Sequence, residues 1–450
     1  MQLSDTTTLP NPIQTSRVKS ILDWLARPYA FLDECLQAYG SLFTVHFLGF
    51  SPLVFFGDPQ AVKEIFSIDA QKFDAGKGNG LLQPLLGDNS LIVLDGDRHK
   101  RERKLLMPPF HGAKVASYAD TIRQISLEIC HEWKPGQTVV ASREMPKIAM
   151  EVILQTVFGL REGDRYQELK SLLVKMLDLT GSPLSASLIF FKFLQRDLGA
   201  WSPWGKVVRT RRRVYALLQE EIEARREAEG QNGDDMLSLM LLARDEAGQP
   251  MADAELKDEL ITMLVAGHET TASVLCWALY WVHKLPSVKA RLMAELESAG
   301  EDAEPIEIAK LPYLTAVASE TLRLYPIVPI ASPRICREET TIQGRTYPAD
   351  TFLAPCIYAV HHREDLYPES KRFRPERFLE RQYAPHEFLP FGGGNRRCLG
   401  YALAKLEINL VLAAILRGRS LVLADDEPAV PRRRGVVVAT SNGVPLKVDG

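Results

Sequence analysis

Along most of this chain apolar residues recur at the three-to-four-residue spacing of an amphipathic helix. The spacing predicts helices over 114–133, 148–160, 165–178, 206–228, 253–284, 287–299, 310–324 and 399–417. Strand signals are few. Residues 42–47 (LFTVHF) and 53–56 (LVFF), joined by Gly49-Phe50-Ser51-Pro52, read as a hairpin. Short apolar runs at 352–358, 420–424 and 436–440 read as further strands. Strands from both ends of the chain must then pair beside a large helical body. No Gly/Ser/Pro-rich linker, repeat or low-complexity block divides it, so the expectation is a single domain over 1–450, mainly α with a small β region.

The 253–284 segment would be about 48 Å long at ~1.5 Å per residue, enough to cross a whole domain. Its first turns carry Asp253, Glu255 and Asp258, and Pro286 follows its end. The polar stretch Ala266-Gly267-His268-Glu269-Thr270-Thr271 interrupts it near the middle. Gly267 costs helix stability of ~1 kcal/mol relative to alanine. The stretch is either a functional motif or a plain polar notch on the helix face. With a histidine and two carboxylates between 259 and 282, the segment is expected to lie inside protein and not in lipid.

A net charge of −3 with 46% hydrophobic and 25% charged residues excludes a disordered chain and disfavours a nucleic-acid binder. The start, MQLSDTTTLPNPIQTSRVKS, lacks the features of a signal peptide, so a soluble cytoplasmic protein without an obligate membrane anchor is expected. Six cysteines lie far apart with no Cys-x-x-Cys pair, which disfavours a disulfide framework or a zinc site.

The sharpest chemical signal is Phe391-Gly392-Gly393-Gly394-Asn395-Arg396-Arg397-Cys398-Leu399-Gly400, ahead of an amphipathic helix with its stripe at Leu403, Leu406, Leu410 and Ala414. This order places Cys398 at a helix N-terminus, where free N–H groups favour a thiolate. The glycines allow close approach of a large planar group. Arg396 can pair with a carboxylate on that group. Together these describe a thiolate ligand for iron. A phosphate-binding loop would need the Lys-Ser/Thr ending that is absent here. A merely structural cysteine leaves the flanking pattern without a reason.

The 391–400 stretch resembles the haem loop of the cytochrome P-450 family, Phe-x-x-Gly-x-Arg-x-Cys-x-Gly, at every fixed position. Three further motifs follow the family's order: Ala266–Thr271, Glu320-Thr321-Leu322-Arg323 and Pro375-Glu376-Arg377-Phe378. The resemblance covers essentially the whole chain. It implies a triangular helical fold, with haem b (iron protoporphyrin IX) between the long central helix and the cysteine-bearing helix. It also implies Cys398 as axial ligand, Phe391 packed near the sulfur, and Gly392 and Gly400 shaping the loop. His99, Arg103, Arg334 and Arg396 would hold the haem carboxylates. A buried Glu320–Arg323–Arg377 network would fix the architecture beneath the haem. Thr270 and Glu269 would deliver protons during oxygen activation, with Gly267 loosening the helix to admit water and oxygen.

The implied activity is monooxygenation of a lipophilic small molecule, of the fatty acid or terpenoid class, with O2. Electrons would come from a separate ferredoxin or flavodoxin with its reductase, because no reductase is fused. A peroxide-using or hydroperoxide-rearranging haem-thiolate enzyme and a haem gas sensor are the alternatives. The Glu269–Thr270 pair favours the first reading. Arg98, Lys100, Arg101 and Lys104 are expected to project outward, as a solvated face or as a docking face for an acidic electron donor. The substrate-lining positions read as Leu81, Leu82, Leu85 and Leu86; Ile189, Phe190, Phe191 and Phe193; Leu264 and Ala266; Val328 to Ala331; and the 440–444 turn. Trp201 and Trp204, beside Arg209, Arg211, Arg212 and Arg213, read as an exposed basic helix start or a membrane contact.

Overall fold

The longest helix runs unbroken over Asp253–Lys284, with the bounds its periodicity predicts. From Thr271 to Tyr280 every residue is buried, so this half is enclosed on all sides. Ala141–Thr156, Pro312–Leu324 and Tyr401–Gly418 pack against it, and Ala119–His131 packs on the first and last of that set. Their facing stripes merge into one apolar core. Trp277 of the central helix stacks on Tyr325 at 3.6 Å between ring centroids, tying the helix to the end of Pro312–Leu324. The computed structural model describes residues 9–181, 195–199, 201–227 and 235–449.

Helix edges differ from the periodic expectation where proline or a polar pair intervenes. The 114–133 helix is two, Gly112–Ala116 and Ala119–His131, parted at Ser117-Tyr118. The 148–160 helix begins at Ala141 and carries Pro146 within it. The 310–324 helix starts at Pro312, whose fixed φ suits the first helical position. Residues 165–178 and 206–228 lie in Asp164–Gly181 and Pro203–Glu227, and 287–299 in Pro286–Ser298.

The N-terminal hairpin pairs Leu42 with Phe56 and Val45 with Leu53. Its second strand, Leu53–Phe56, runs parallel to Phe352–Pro355, and that strand pairs in turn with Arg334–Cys336 and then Phe73–Asp74. The expected 352–358 strand is therefore shorter: the chain turns into the helix Ile357–His361. A second sheet joins Thr138–Val140, Pro445–Val448 and Leu421–Leu423. Pro431–Arg434 and Val437–Thr440 form a separate hairpin. The observed fold is thus mainly helical with small sheets built from both ends of the chain, and it is the frame that brings residues 95–103, 334 and 391–400 together.

Candidate functional site

The loop ahead of Tyr401–Gly418 is pressed against the helix Pro59–Ser67. A Cβ on Gly393 would stand 2.4 Å from the Phe66 ring, and Gly394 sits at φ +64, so neither position accommodates a side chain without strain. The Cys398 N–H donates to the Phe391 carbonyl at 2.9 Å, which closes the loop on itself. The helix begins only after Gly400. Cys398 therefore lies in the loop before the helix rather than at its N-terminus, a correction to the sequence expectation, because Leu399-Gly400 takes the turn that the apolar periodicity had included.

Cys398 is the one exposed cysteine; the other five are buried. Even so, protein surrounds it closely enough that burial raises its thiol pKa, against the lowering effects of the Gly400 N–H, Arg103 and Arg397. The two observations agree if the sulfur faces an internal gap and not bulk water. A thiol held this way ionises when a cation is brought to it.

Four basic side chains from three separate segments converge beside that gap. His99 and Arg103 come from the helix Gly96–Leu106, Arg334 from a central strand and Arg396 from the loop. Together with Asn395 they line a cleft of about 410 Å³. Burial, and then Arg396, Arg103 and Arg334, push His99 down to about 3, so its imidazole is neutral. Burial and the neighbouring Arg396 bring Arg334 down to about 9; burial foremost, with Arg103, brings Arg396 to about 10. Burial lowers Arg103 too, and the Cys398 sulfur opposes that, so thiol and cations share one site.

Their protein partners are few. Arg396 donates to the Leu94 carbonyl and to Asp95 Oδ1, each at 2.6 Å, and its buried Nε has no partner. Arg334 reaches only carbonyls, of Ser332 and Gly393. Sequence reasoning missed Asp95. It also accepts from the Gly76 and Lys77 N–H groups at 2.7 and 2.9 Å, and so fixes Arg396 against the neighbouring loop. An aspartate before a helix gives only a capping signal in the sequence, yet here it makes no side-chain cap bond.

The polar stretch of the central helix is split: His268 and Thr271 are buried, Ala266 is exposed, and Gly267, Glu269 and Thr270 are half-buried. The Thr270 hydroxyl donates back to the Ala266 carbonyl at 2.6 Å. Glu269 Oε1 lies 4.0 Å from Arg434 Nε. The helix is continuous at Gly267, so the expected loosening is not seen; a Cβ there would stand 3.2 Å from Ile153 Cδ1, and close helix packing is what the glycine permits.

Glu320, Arg323 and Arg377 are almost wholly buried. Arg323 grips Glu320 through two bonds of 2.6 and 2.9 Å, Arg377 Nε adds one at 3.1 Å and the Arg374 N–H one at 2.8 Å. The His361 carbonyl accepts from Arg323 at 2.8 Å.

Other expectations change. Arg101 does not project outward: it donates to Asp245 at 2.7 Å and to the Pro250 carbonyl at 3.0 Å, and bonds Glu102 and Glu255. Arg98, Lys100 and Lys104 are exposed as expected; Lys104 pairs with Glu246 and Arg98 donates to Asn89, while the Lys100 side chain makes no ion pair or hydrogen bond among the described residues. Of the 201–213 region Trp201 is 73% exposed, but Arg209, Arg211 and Arg213 are engaged by Asp197, Asp258 and Glu168. Leu85, Leu86 and Leu264 join the main core, with Leu81 and Leu82 packed against it. Val328 is exposed, and Ala331 belongs to a separate cluster with Val54 and Leu353. Residues 440–444 pack on the start of Ala141–Thr156 through the Val444 and Gly443 carbonyls. They form the expected bend, between the strands Val437–Thr440 and Pro445–Val448; the hairpin ahead of them turns at Gly435-Val436, next to Arg434. Ile189, Phe190, Phe191 and Phe193 lie outside the described residues.

These residues fit a haem. A flat dianionic group needs several cations at one edge, and among the described residues Arg396 is the one of these four basic groups that meets a carboxylate, Asp95. Iron needs a ligand, and the open thiol lies within the field of the same Arg103.

A family model described as Cytochrome P-450 matches residues 15–447. Cytochrome P-450 135B1 of Mycobacterium tuberculosis is 36% identical, covering 98% of this chain and 91% of its own length. Cytochrome P-450 135A1 of the same species is 30% identical over 98% of this chain and 94% of its own. The structure of retinoic-acid-bound cyanobacterial CYP120A1 has the same fold, with a TM-score of 0.83 at 24% identity, covering 98% of this chain and 99% of that one.

Proposed function

The chain belongs to the cytochrome P-450 family and is accordingly a haem-iron monooxygenase, and within that class we propose that it oxidises a lipophilic small molecule, of the fatty acid or terpenoid kind, with Cys398 as the iron's thiolate ligand. The observation that carries the assignment of residues is the pairing of one accessible cysteine with a cluster of buried cations that have too few anions of their own. Haem b, when bound, would supply the redox chemistry by which dioxygen, with two electrons and two protons, gives one atom to the substrate and the other to water. His99, Arg103, Arg334 and Arg396 bind and orient its carboxylates, and Asp95 holds Arg396 in place for that task. Phe391, whose carbonyl accepts the Cys398 N–H, sets the loop around the sulfur.

Thr270 holds the proton to be delivered. Its hydroxyl must turn away from the Ala266 carbonyl to donate toward the reacting oxygen, giving up one neutral hydrogen bond worth about 1 kcal/mol. Glu269 passes protons inward from the side where it meets Arg434. Electrons come from a separate ferredoxin or flavodoxin with its reductase, and exposed Lys100 is the cation left to meet an acidic donor. Among the described residues no helix is long and apolar enough to cross a membrane; we take the enzyme to work in the cytoplasm without an obligate anchor.

The reduced, carbon-monoxide-treated holoenzyme should show the strongly red-shifted absorption of a thiolate haem, and Cys398→Ala should abolish it. A band that survived the substitution would sink the ligand assignment. In turnover driven through a ferredoxin and its reductase, Thr270→Ala should keep consuming reductant while diverting most of it to hydrogen peroxide. Full coupling to product in that variant would return Thr270 to a packing role. Turnover with peroxide alone, at a rate no donor improves, would favour the peroxide-using alternative.

A further inference from the structure

A second cleft, of about 350 Å³, shares no lining residue with the one beside Cys398. Its walls are the start of Ala141–Thr156 (Ser142, Arg143), the strand Pro431–Arg434 and the segment Thr440–Gly443. Arg143, Arg432, Arg433 and Arg434 line it, and no acidic residue does. Arg143 and Arg432 are exposed and, among the described residues, make no ion pair. Among the described residues the one carboxylate near Arg434 is that of Glu269, 4.0 Å away. Arg433 turns the other way, donating to the Trp24 carbonyl at 3.2 Å with its guanidinium over the Trp24 ring.

One polar atom in the wall is unmatched: Thr440 Oγ1 is buried with no hydrogen-bond partner. Guanidinium groups gathered around a concavity repel one another unless an anion sits between them. Their planar forks match the oxygens of a tetrahedral oxyanion, which accepts two parallel bonds from each. In a chain of net charge −3 the run Arg432-Arg433-Arg434 is a local excess that the haem site does not use. The small concave volume suits a compact multiply charged group better than an extended acidic chain.

We propose that this cleft binds a phosphate-type oxyanion, held by Arg143, Arg432 and Arg434 with the side chains of Thr440 and Ser142. The phosphate is either free or the headgroup of an anionic lipid. Bound there, it competes with Glu269 for Arg434.

The test uses the holoenzyme in chloride buffer. Titration calorimetry with inorganic phosphate should show saturable binding at one site, weakened roughly tenfold or more by Arg143→Gln or Arg432→Gln. Thermal unfolding and the haem spectrum of both variants should be unchanged, because each side chain is exposed. Vesicles of phosphatidylglycerol in phosphatidylcholine distinguish the two sources. Flotation with them that inorganic phosphate reverses assigns the site to a headgroup; calorimetric binding without flotation assigns it to free phosphate. The proposal is overturned if phosphate gives no more heat than added chloride and no reversible flotation, or if both variants bind as the parent does.

Discussion

Two sets of buried arginines differ in what answers their charge. At Glu320, Arg323 and Arg377, one carboxylate takes two arginine side chains and a backbone N–H, and the remaining donors reach carbonyls, so the group is closed within the protein. At His99, Arg103, Arg334 and Arg396 the one carboxylate in contact, among the described residues, is Asp95 on Arg396; Arg396 Nε has no partner, and His99 is driven neutral. Burial alone therefore does not mark function. A complete network holds architecture, whereas an incomplete one of a single sign is a place prepared for a ligand.

The contrast breaks most readily at Glu320. Glu320→Ala strands Arg323 and Arg377 in the interior, and stability measured by urea denaturation should fall by roughly 3–5 kcal/mol. A loss under about 1 kcal/mol would mean that the network is not the closed unit its distances describe.

Arg334→Met should behave in the opposite way. The substitution removes a buried charge with no carboxylate partner of its own, so the urea midpoint should move little. Haem transfer to a scavenger protein should speed up roughly tenfold to a hundredfold, the worth of one charge-assisted bond. Destabilisation as large as that of Glu320→Ala, with haem retention unchanged, would erase the distinction between the two clusters.

Glu102 stands between these cases and gives the smallest effect. It is almost fully buried and bonded to Arg101, but its Oε2 has no partner. Burial, and then Glu255, raise its carboxyl to about 7. A carboxyl raised on folding binds its proton more tightly in the native state. Its contribution is therefore fully present below about 4.5, the ordinary value, and is lost as pH rises through about 7. Glu102→Gln should remove this slope, which denaturation curves collected between those two pH values will show. Parallel curves for the two proteins would mean that Arg101 satisfies Glu102 completely.

Much of the frame is legible in the sequence. The central helix has its expected bounds because its acidic first turns and the proline after its end are local signals. The hairpin at 42–56 was legible for the same reason. Helix starts near Pro146 and Pro312 were misplaced because a proline is compatible with both a first turn and a break, and only neighbouring elements choose between them. The outward reading of Arg101 failed because Asp245 and Glu255, far along the chain, come back to meet it.

By itself, then, the sequence determined the helical class, the motif order and the cysteine loop, since these rest on short-range spacing and on which residue types tolerate a tight turn. Only the tertiary structure decided which charges are answered. That Asp95 holds Arg396, that Arg334 reaches no carboxylate, and that Arg143 faces Arg432 across a cleft are consequences of segments hundreds of residues apart being packed together, and electrostatic energy depends on distance in space and not along the chain.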